Sequence, residues 1–319
     1  MRFKLILGHL LFAGLCVCLT SGELWLGSAL AFNTNRIVFT FWKHGDGEVY
    51  VMDADGRNRE NLTNHPGYDF DPDWSPDGTK IAFGSGRNDV FQIYVMDADG
   101  ENQMRLTDGP RQKREPDWSP DGSKIAFTVD DGVSHIGVMD ADGKNRVRLE
   151  NRASEPSWSP DGRQIAFATS RNGDHEIFVI GADGQGLERV KHGLRGHSPS
   201  FSPDGRRIAY YESHEGFRHI HSVDTDGKNR VRLTHNQGHH SHPTWSPDGQ
   251  MIAYVAYKDL FFGDATIHLM TADGKYLKQL SRIRDGIDFQ PDFSPVGLAV
   301  SHSSKTATIW GKIKIPFGQ

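Results

Sequence analysis

The chain has 319 residues, of which 36% are hydrophobic and 10% aromatic, so it can bury a large core within one domain. Its formal net charge is -5 at pH 7, and it lacks a basic stripe with interleaved aromatic residues, which excludes a typical nucleic-acid-binding protein. The two cysteines, Cys16 and Cys18, lie close to the N-terminus, so no disulfide framework is predicted for the rest of the chain.

The first segment of the chain has the pattern of a secretory signal peptide. Arg2 and Lys4 precede a mostly apolar run over residues 5–19, and Ala29-Leu30-Ala31 resembles a cleavage site. We therefore predict a signal peptide over 1–31, a periplasmic or secreted mature protein and no membrane span after cleavage. The alternative is an uncleaved membrane anchor, although the apolar run is short for a span.

A heptapeptide, "PDWSPDG" at 72–78, recurs along the chain. Close copies begin at 116, 156, 199, 243 and 291, and the spacing between their aromatic residues is 40 to 48 residues. A second marker, "MDADG" at 52–56, recurs in step with the first. Two markers in register indicate a structural repeat rather than a single active-site loop.

Each repeat is predicted to contain four short strands. The first ends at the Ser-Pro-Asp-Gly turn, in which proline and glycine favour the dihedral angles of a tight turn. The next three are "KIAFGS" (80–85), "QIYVMD" (92–97) and "QMRLT" (103–107). Four strands in a period of this length are typical of one blade of a β-propeller.

The order of the strands also predicts how the ring closes. The chain enters the repeat at a second strand, "RIVFTF" at 36–41, and "PDFSP" at 291–295 is a first strand without the rest of its blade. We therefore predict an all-β, six-bladed propeller over 32–296, in which N- and C-terminal strands close one blade. Residues 297–319 are predicted to be a C-terminal tail, either an extra strand pair or a partial blade, which leaves a seven-bladed alternative open.

The stretches "WSPDGTKIAF", "QIYVMDADG" and "RLT", in that order, resemble the TolB-like propeller repeat family, with WD40-like, PD40-type repeats. Similar repeats occur in propeller peptidases and oligogalacturonate lyases, so the resemblance implies the fold more than one function. The α/β domain that precedes the TolB propeller has no counterpart between the predicted signal peptide and the first blade. No Gly-x-Ser-x-Gly nucleophile motif occurs, and no catalytic residue is predicted.

The two faces of the predicted ring differ in regularity. Turns after the first and third strands share one regular face, whereas connections after the second and fourth strands lie on the other, which we call the variable face. Loops on a rigid scaffold often carry binding sites. The variable face of blades five and six is rich in aromatic residues and histidines, and its predicted partner-binding residues are Tyr211, His214, Phe217, His239, His240, His242, Tyr257, Phe261 and Phe262.

A second set of candidate residues precedes the proline of each first strand. First strands line the axis of a propeller, so these side chains should surround the mouth of the central channel on the variable face. They are Asp71, Glu115, Glu155, Ser198, His242 and Gln290. Three acids on consecutive blades could hold a cation or a polar ligand, although solvated polar residues at a tunnel mouth would look the same.

These patterns predict an exported, non-catalytic propeller that binds a protein, peptide or glycan partner in the cell envelope. We expect a monomer without a cofactor, a resident metal or a nucleic-acid partner. The alternative is a metal-dependent polysaccharide lyase or hydrolase. The resemblance to oligogalacturonate lyases, which have a histidine-rich metal site on a propeller, would then make His239, His240 and His242 the ligands.

Overall fold

The computed structural model describes residues 18–20, 23–25, 36–43, 45–190, 194–258, 264–275, 277–281 and 286–295. The strands of the first half are β1 (Cys18–Thr20), β2 (Glu23–Trp25), β3 (Arg36–Lys43), β4 (Asp46–Asp53), β5 (Glu60–Asn61), β6 (Asp69–Trp74), β7 (Lys80–Ser85), β8 (Gln92–Asp97), β9 (Met104–Arg105), β10 (Gln112–Trp118), β11 (Lys124–Asp130), β12 (His135–Asp140) and β13 (Val147–Asn151). Those of the second half are β14 (Ala153–Trp158), β15 (Gln164–Thr169), β16 (Glu176–Gly181), β17 (Glu188–Arg189), β18 (His197–Phe201), β19 (Arg207–His214), β20 (Phe217–Asp224), β21 (Val231–Arg232), β22 (His239–Trp245), β23 (Met251–Tyr257), β24 (Thr266–Thr271), β25 (Leu277–Gln279) and β26 (Ile287–Phe293).

Strands β3 to β26 form six four-stranded antiparallel sheets, the blades of a propeller. Blade 1 has the order β26-β3-β4-β5, and blades 2 to 6 each take four consecutive strands from β6 onward. In blade 1, β26 pairs with β3 between Ile287 and Trp42 at one end and Phe293 and Ile37 at the other. The six-bladed prediction, with both chain ends closing one blade, is therefore confirmed over the seven-bladed alternative.

The core lies between neighbouring blades. Between blades 1 and 2, Val38 and Val49 pack against Trp74, Ile81 and Phe83. Equivalent clusters join each blade to the next, including blade 6 to blade 1. The aromatic residue of the heptapeptide contributes to this packing, since Trp74 is only 5% exposed. The repeated aromatic residue thus packs between neighbouring blades.

The Ser-Pro-Asp-Gly turn after each first strand is held by its own side chains. Asp77 Oδ1 accepts hydrogen bonds from Ser75 Oγ at 2.6 Å and from the backbone N–H of Thr79 at 3.0 Å. Gly78 has a φ of 67°, a conformation that glycine adopts without strain. The equivalent serine, aspartate and backbone N–H make the same bonds in blades 3 to 6, so these carboxylates serve the turn.

Every first strand is interrupted by a β-bulge at its proline. In β6 the pairing register shifts between Phe70 and Asp73, and Asp71 has a φ of 52°. The same shift and a positive φ occur in the other five first strands, at Glu115, Glu155, Ser198, His242 and Gln290. A left-handed conformation costs a residue other than glycine roughly 1–2 kcal/mol. The bulge re-aims the side chain before the proline, as β-bulges near sites often do.

Some sequence-based predictions fall outside the described residues. The tail at 297–319 does so entirely, and only β1 and β2, which pair as a short antiparallel ladder, are described within the predicted signal peptide. The signal peptide and the tail therefore stay predictions. In the described part of the chain, no helix has the length and apolar character needed to cross a membrane.

Candidate functional site

A cavity of about 150 Å³ lies on the axis of the ring. From each of the six first strands, the residue before the proline, the proline itself and the residue after it line this cavity. All six side chains predicted at the channel mouth, from Asp71 to Gln290, therefore meet in one place. Their role in binding a ligand stays a prediction.

The acidic mouth residues connect neighbouring blades. Asp71 accepts a hydrogen bond from the backbone N–H of Glu115 (3.2 Å), and Glu115 accepts one from the backbone N–H of Glu155 (3.0 Å). Glu155 in turn accepts one from the N–H of Ser198 (2.8 Å). Each carboxylate thus bonds to the strained residue of the next blade, which satisfies a backbone donor that the bulge removes from the strand ladder.

A deeper layer of acids lines the same cavity and was not among the predicted site residues. Asp73 accepts the backbone N–H of Trp118, and Asp117 accepts that of Trp158, both at 2.7 Å. Asp292 closes the series, because it accepts the N–H of Trp74 at 3.0 Å. The signal was present in the heptapeptide, since these residues follow the proline and lie two positions beyond the mouth residue on the same strand.

Burial and mutual repulsion make several of these carboxyl groups hard to ionise. Desolvation raises the pKa of Asp117 to about 8 and that of Asp292 to about 6. It also raises the pKa of Asp71 and Asp73 well above the ordinary range, where neighbouring carboxylates add to the effect. A positive charge in the cavity would be stabilised by ionised carboxylates and would relieve their repulsion.

The side of the cavity formed by blades 4 to 6 has a different character. Burial would raise the pKa of Glu155, but the imidazole of His197, whose Nδ1 lies 3.7 Å from Glu155 Oε2, holds it below the ordinary value. The ring of His197 stacks on Tyr211 with centroids 5.0 Å apart. Desolvation lowers the pKa of His242 to about 4, so this imidazole is neutral at neutral pH. On this side the cavity is lined by the Glu155 carboxylate and the neutral imidazole of His242.

The predicted contact residues of blades five and six occupy very different environments. His214 and Phe217 are exposed, and Phe217 keeps 42% of its surface accessible. Four others are buried side chains that pack within or between the blades: Tyr211, His239, His240 and Tyr257. His242 lines the central cavity, and Phe261 and Phe262 lie outside the described residues. The exposed part of this sector, as described, is thus smaller than the sequence suggests.

The structure does not bring together the three histidines of the metal-dependent alternative. His239 and His240 are neighbours on β22 and pair with successive residues of β23, so their side chains lie on opposite faces of the sheet. His242 belongs to the central cavity instead. Within the described ranges, no group of three or more His, Cys, Asp or Glu side chains could hold a metal ion. This proposed ligand set was wrong, because strand alternation separates its members.

The variable face also carries an aromatic cluster on blades 1 and 2 that sequence reasoning missed. The rings of Trp42 and Tyr68 stack at 4.9 Å with an angle of 3°, and Tyr68 is 40% exposed. Phe91 lies beside them and meets Phe70 edge to face at 4.8 Å. The sequence could have indicated this cluster, because several connections of the variable face contain an aromatic residue. These residues become neighbours only in the folded ring.

The repeats match the family described as TolB beta propeller domain, PD40, over residues 26–149 and 197–309. A curated relative, Protein TolB homolog of Chlorobium chlorochromatii, is 42% identical over 55 residues, which are 17% of this chain and only 12% of the relative. TolB from Acinetobacter baumannii superposes with a TM-score of 0.74 at 23% identity, covering 83% of this chain and 68% of that one. A putative TolB from Agrobacterium tumefaciens gives 0.67 at 23% identity, over 82% of this chain and 99% of the other.

At 23% identity, these solved structures show that the fold is shared. They say nothing about which ligand this chain binds. The family match is broader, because its two segments together span more than half of the sequence and contain most of the repeats. The chain therefore belongs to the PD40 family of TolB beta-propeller domains.

Proposed function

We propose that this protein is an exported, non-catalytic scaffold that binds a protein, peptide or glycan of the cell envelope through its variable face. The predicted signal peptide and the relationship to proteins named TolB support the location. The rigid ring, the central cavity and the uneven loops of the variable face support a binding role.

One observation carries the proposal. All six residues at the cavity mouth have a positive φ, between 46° and 57°, and none of them is glycine, the residue that adopts this conformation without strain. The backbone is repeated from blade to blade while the side chain changes from acid to serine, histidine and glutamine. Backbone strain concentrated at one place often accompanies a functional site. These positions therefore carry varied polar side chains despite the cost of their backbone conformation, which supports a role in recognition.

The charge of the cavity supports one kind of contact. Asp71, Asp73 and Glu115 are carboxyl groups with raised pKa values, so a cation beside them would stabilise their ionised form. We therefore propose that the partner places an amino or guanidinium group in the cavity mouth. The rest of the partner would lie on the loops of the variable face, including Phe217 and Tyr68.

The test compares the same chemical change on the two faces of the ring. The variant Asp71→Asn/Glu115→Gln removes two carboxyl groups that a cation would ionise but keeps oxygen atoms that can accept the backbone hydrogen bonds. The control is Asp99→Asn, an exposed turn residue of the regular face whose Oδ1 accepts the N–H of Glu101. Immobilised proteins are incubated with envelope extract of the source organism, and the retained molecules are identified and quantified by mass spectrometry.

We expect a partner that the wild type and the Asp99→Asn control retain equally. The mouth variant should retain it about tenfold less, since hydrogen bonds to charged groups contribute about 1.5–3 kcal/mol. Equal retention by all three proteins would contradict the proposal that the cavity mouth takes part in binding.

A further inference from the structure

A further cavity, of about 330 Å³, opens on the variable face between blades 3 and 4. We call it the blade 3–4 cleft and define it by five polar residues that line it: Ser134, Arg152, Ser154, Ser170 and His175. They come from the connection between β11 and β12, the start of β14 with the residue before it, and the connection between β15 and β16. Every residue that lines the cleft lies within the described range 45–190.

Small side chains in blade 4 make room for this cleft. The residue two positions before the proline of the first strand is Ser154, which pairs with Ala168 on β15. The residue before Ser154 is also small, since Ala153 lines the cleft and is buried. In three other blades the position of Ser154 carries a larger side chain: Phe70 in blade 2, Arg114 in blade 3 and His197 in blade 5. The cleft therefore arises from a local departure from the repeat.

Arg152 brings to the cleft a positive charge that has no acidic partner. It is exposed, and its side chain makes no hydrogen bond or ion pair within the part of the chain that the structure describes. Three neighbouring arginines each pair with a carboxylate: Arg111 with Asp131 at 2.8 Å, Arg171 with Glu150 at 2.7 Å and Arg195 with Asp174 at 2.7 Å. The guanidinium of Arg152 is therefore available to an anion from outside the protein.

Neutral hydrogen-bond donors line the same cleft. Ser134 and Ser154 are half-buried and Ser170 is exposed, and their hydroxyl groups make no hydrogen bond to another described residue. The ring of His175 lies against that of His197, with centroids 4.2 Å apart. Desolvation and the His197 imidazole lower the pKa of His175, so this imidazole is neutral at neutral pH and offers one N–H. The cleft thus combines one cation with several uncharged donors.

The charges around the cleft favour an anion with a single negative charge. Glu155 and Asp174 lie close enough to His175 to oppose the lowering of its pKa. These two carboxylates would repel a phosphate, which carries more than one negative charge at neutral pH, more strongly than they would repel a carboxylate. One guanidinium matches one carboxylate both in charge and in the spacing of its N–H groups.

We propose that the blade 3–4 cleft binds a carboxylate group of the partner. The Arg152 guanidinium donates hydrogen bonds to the carboxylate, and the serine hydroxyls donate to its remaining lone pairs or bond to polar groups beside it. Val133, which is 48% exposed, offers an apolar contact to the carbon atoms that carry the carboxylate. The volume lies at the lower end of the ~300–1,000 Å³ of small-molecule sites, which suits one amino-acid or sugar residue. This inference rests on the proposed function, since it adds a subsite for an anion to the same face.

Arg152→Gln tests the proposal by removing the guanidinium from an exposed position. Arg163→Gln is the matched control, since it makes the same change in the same blade, at an exposed residue beside the turn of the regular face. NMR titrations of the isotope-labelled protein give dissociation constants for each probe. Acetylalanine and glucuronate carry a carboxylate and stand for a peptide C-terminus and an acidic sugar. Acetylalaninamide and glucose are their neutral counterparts, and inorganic phosphate is the more highly charged anion.

We expect the wild type to bind acetylalanine, glucuronate or both, and to bind neither neutral counterpart. Arg152→Gln should weaken the binding of the carboxylate about tenfold, because hydrogen bonds between charged groups are lost, and Arg163→Gln should leave it unchanged. Binding of one carboxylate alone would support the proposal and identify a peptide or a sugar as its source. The absence of carboxylate binding, tighter binding of phosphate, equal binding of the neutral counterparts, or equal weakening by both substitutions would overturn it.

The mouth variant Asp71→Asn/Glu115→Gln separates this inference from the proposed function. The variant keeps Arg152, so it should bind the carboxylate probes as the wild type does. Loss of partner retention by this variant, without probe binding by the wild type, would overturn the cleft alone. Probe binding that depends on Arg152, with partner retention unchanged in the mouth variant, would contradict only the contact at the mouth.

Discussion

At the scale of single residues, the acids of the central cavity have a structural role besides the proposed contact with a cation. Asp117 accepts the backbone N–H of Trp158 and so ties blade 3 to blade 4. Burial opposes its ionisation, because a charge removed from water is costly. The same carboxyl group therefore joins two blades, and its ionised form is destabilised by burial. A bound cation would stabilise that ionised form.

Asp117→Asn should remove this cost without removing the hydrogen bond, since the amide oxygen can also accept the Trp158 N–H. The pKa of Asp117 is about 8 in the folded protein and 3.8 ordinarily, so the folded state keeps a proton that the unfolded chain releases. The group's contribution to the free energy of unfolding is complete below pH 3.8 and falls as the pH rises to about 8. Denaturant titrations at pH 6.0, 7.0 and 8.5 should show the variant gaining stability relative to wild type with rising pH.

Asp121→Asn is the control for this prediction. Asp121 lies in a turn of the regular face, and hydrogen bonds from Ser119 and Ser123 lower its pKa to about 2. Asp121 stays ionised in the folded and the unfolded protein between pH 6.0 and 8.5. The difference in the free energy of unfolding between Asp121→Asn and wild type should therefore not depend on pH. A constant difference for Asp117→Asn as well would mean that its carboxyl group is ionised throughout.

The sequence could predict part of the site at this scale. The mouth residues, from Asp71 to Gln290, hold one position in a repeat, so their convergence follows from the ring alone. The burial of Tyr211 and His240 could not be predicted, because it depends on rings supplied by other strands. The arginines that lie over the rings of blades 1 and 2 were equally hidden, since Arg59 precedes an outer strand whereas Arg87 follows a second strand. These arginines come from different positions of the repeat, so only the folded structure shows that they cover equivalent rings.

At the scale of elements, the hairpin turn after each third strand is a contact between blades. A Cβ atom on Gly143, in blade 3, would lie 2.6 Å from the carbonyl oxygen of Leu106 in blade 2. A Cβ atom on Gly100, in blade 2, would likewise lie 2.7 Å from that of Leu62 in blade 1. The repeated Asp-x-Asp-Gly sequence thus serves both the hairpin and the approach of the preceding outer strand. Turn propensity alone predicted the first role and could not predict the second.

Gly143→Ala should therefore destabilise the protein more than Gly184→Ala. The two glycines have nearly the same φ, 82° and 81°, so each substitution carries a similar backbone strain of roughly 1–2 kcal/mol. At Gly184, however, the nearest atom to the new Cβ is the flexible Leu149 Cδ2 at 3.4 Å, whereas at Gly143 it is a backbone oxygen. Overpacking of this kind costs about 1–3 kcal/mol more. Equal losses in denaturant titrations would show that the turn moves away from Leu106 freely.

At the scale of the whole molecule, blade 1 closes the ring with strands from both ends of the described chain. Besides the β26–β3 pairing, the ion pair of Arg59 with Asp288 joins the two segments. Thr40 links them again, because it donates a hydrogen bond to Gln290 at 3.0 Å and accepts the backbone N–H of Asp71 at 3.1 Å. Strand counting predicted this closure from the sequence, since a second strand without a first strand must find one elsewhere.

Two truncations should separate the closing strand from the tail. A protein that ends at residue 285 lacks β26, so it loses the pairing with β3, the buried ring of Phe293 and the N–H acceptor Asp292. Blades 6 and 2 would then expose apolar faces, and we expect no cooperative thermal transition by circular dichroism and calorimetry. A protein that ends at residue 296 keeps every contact described for β26, so its melting temperature should stay within a few degrees of the full chain, as for a change below about 1 kcal/mol. A comparable collapse of both truncated proteins would show that the tail takes part in closing the ring, and that six blades joined at blade 1 do not account for its stability.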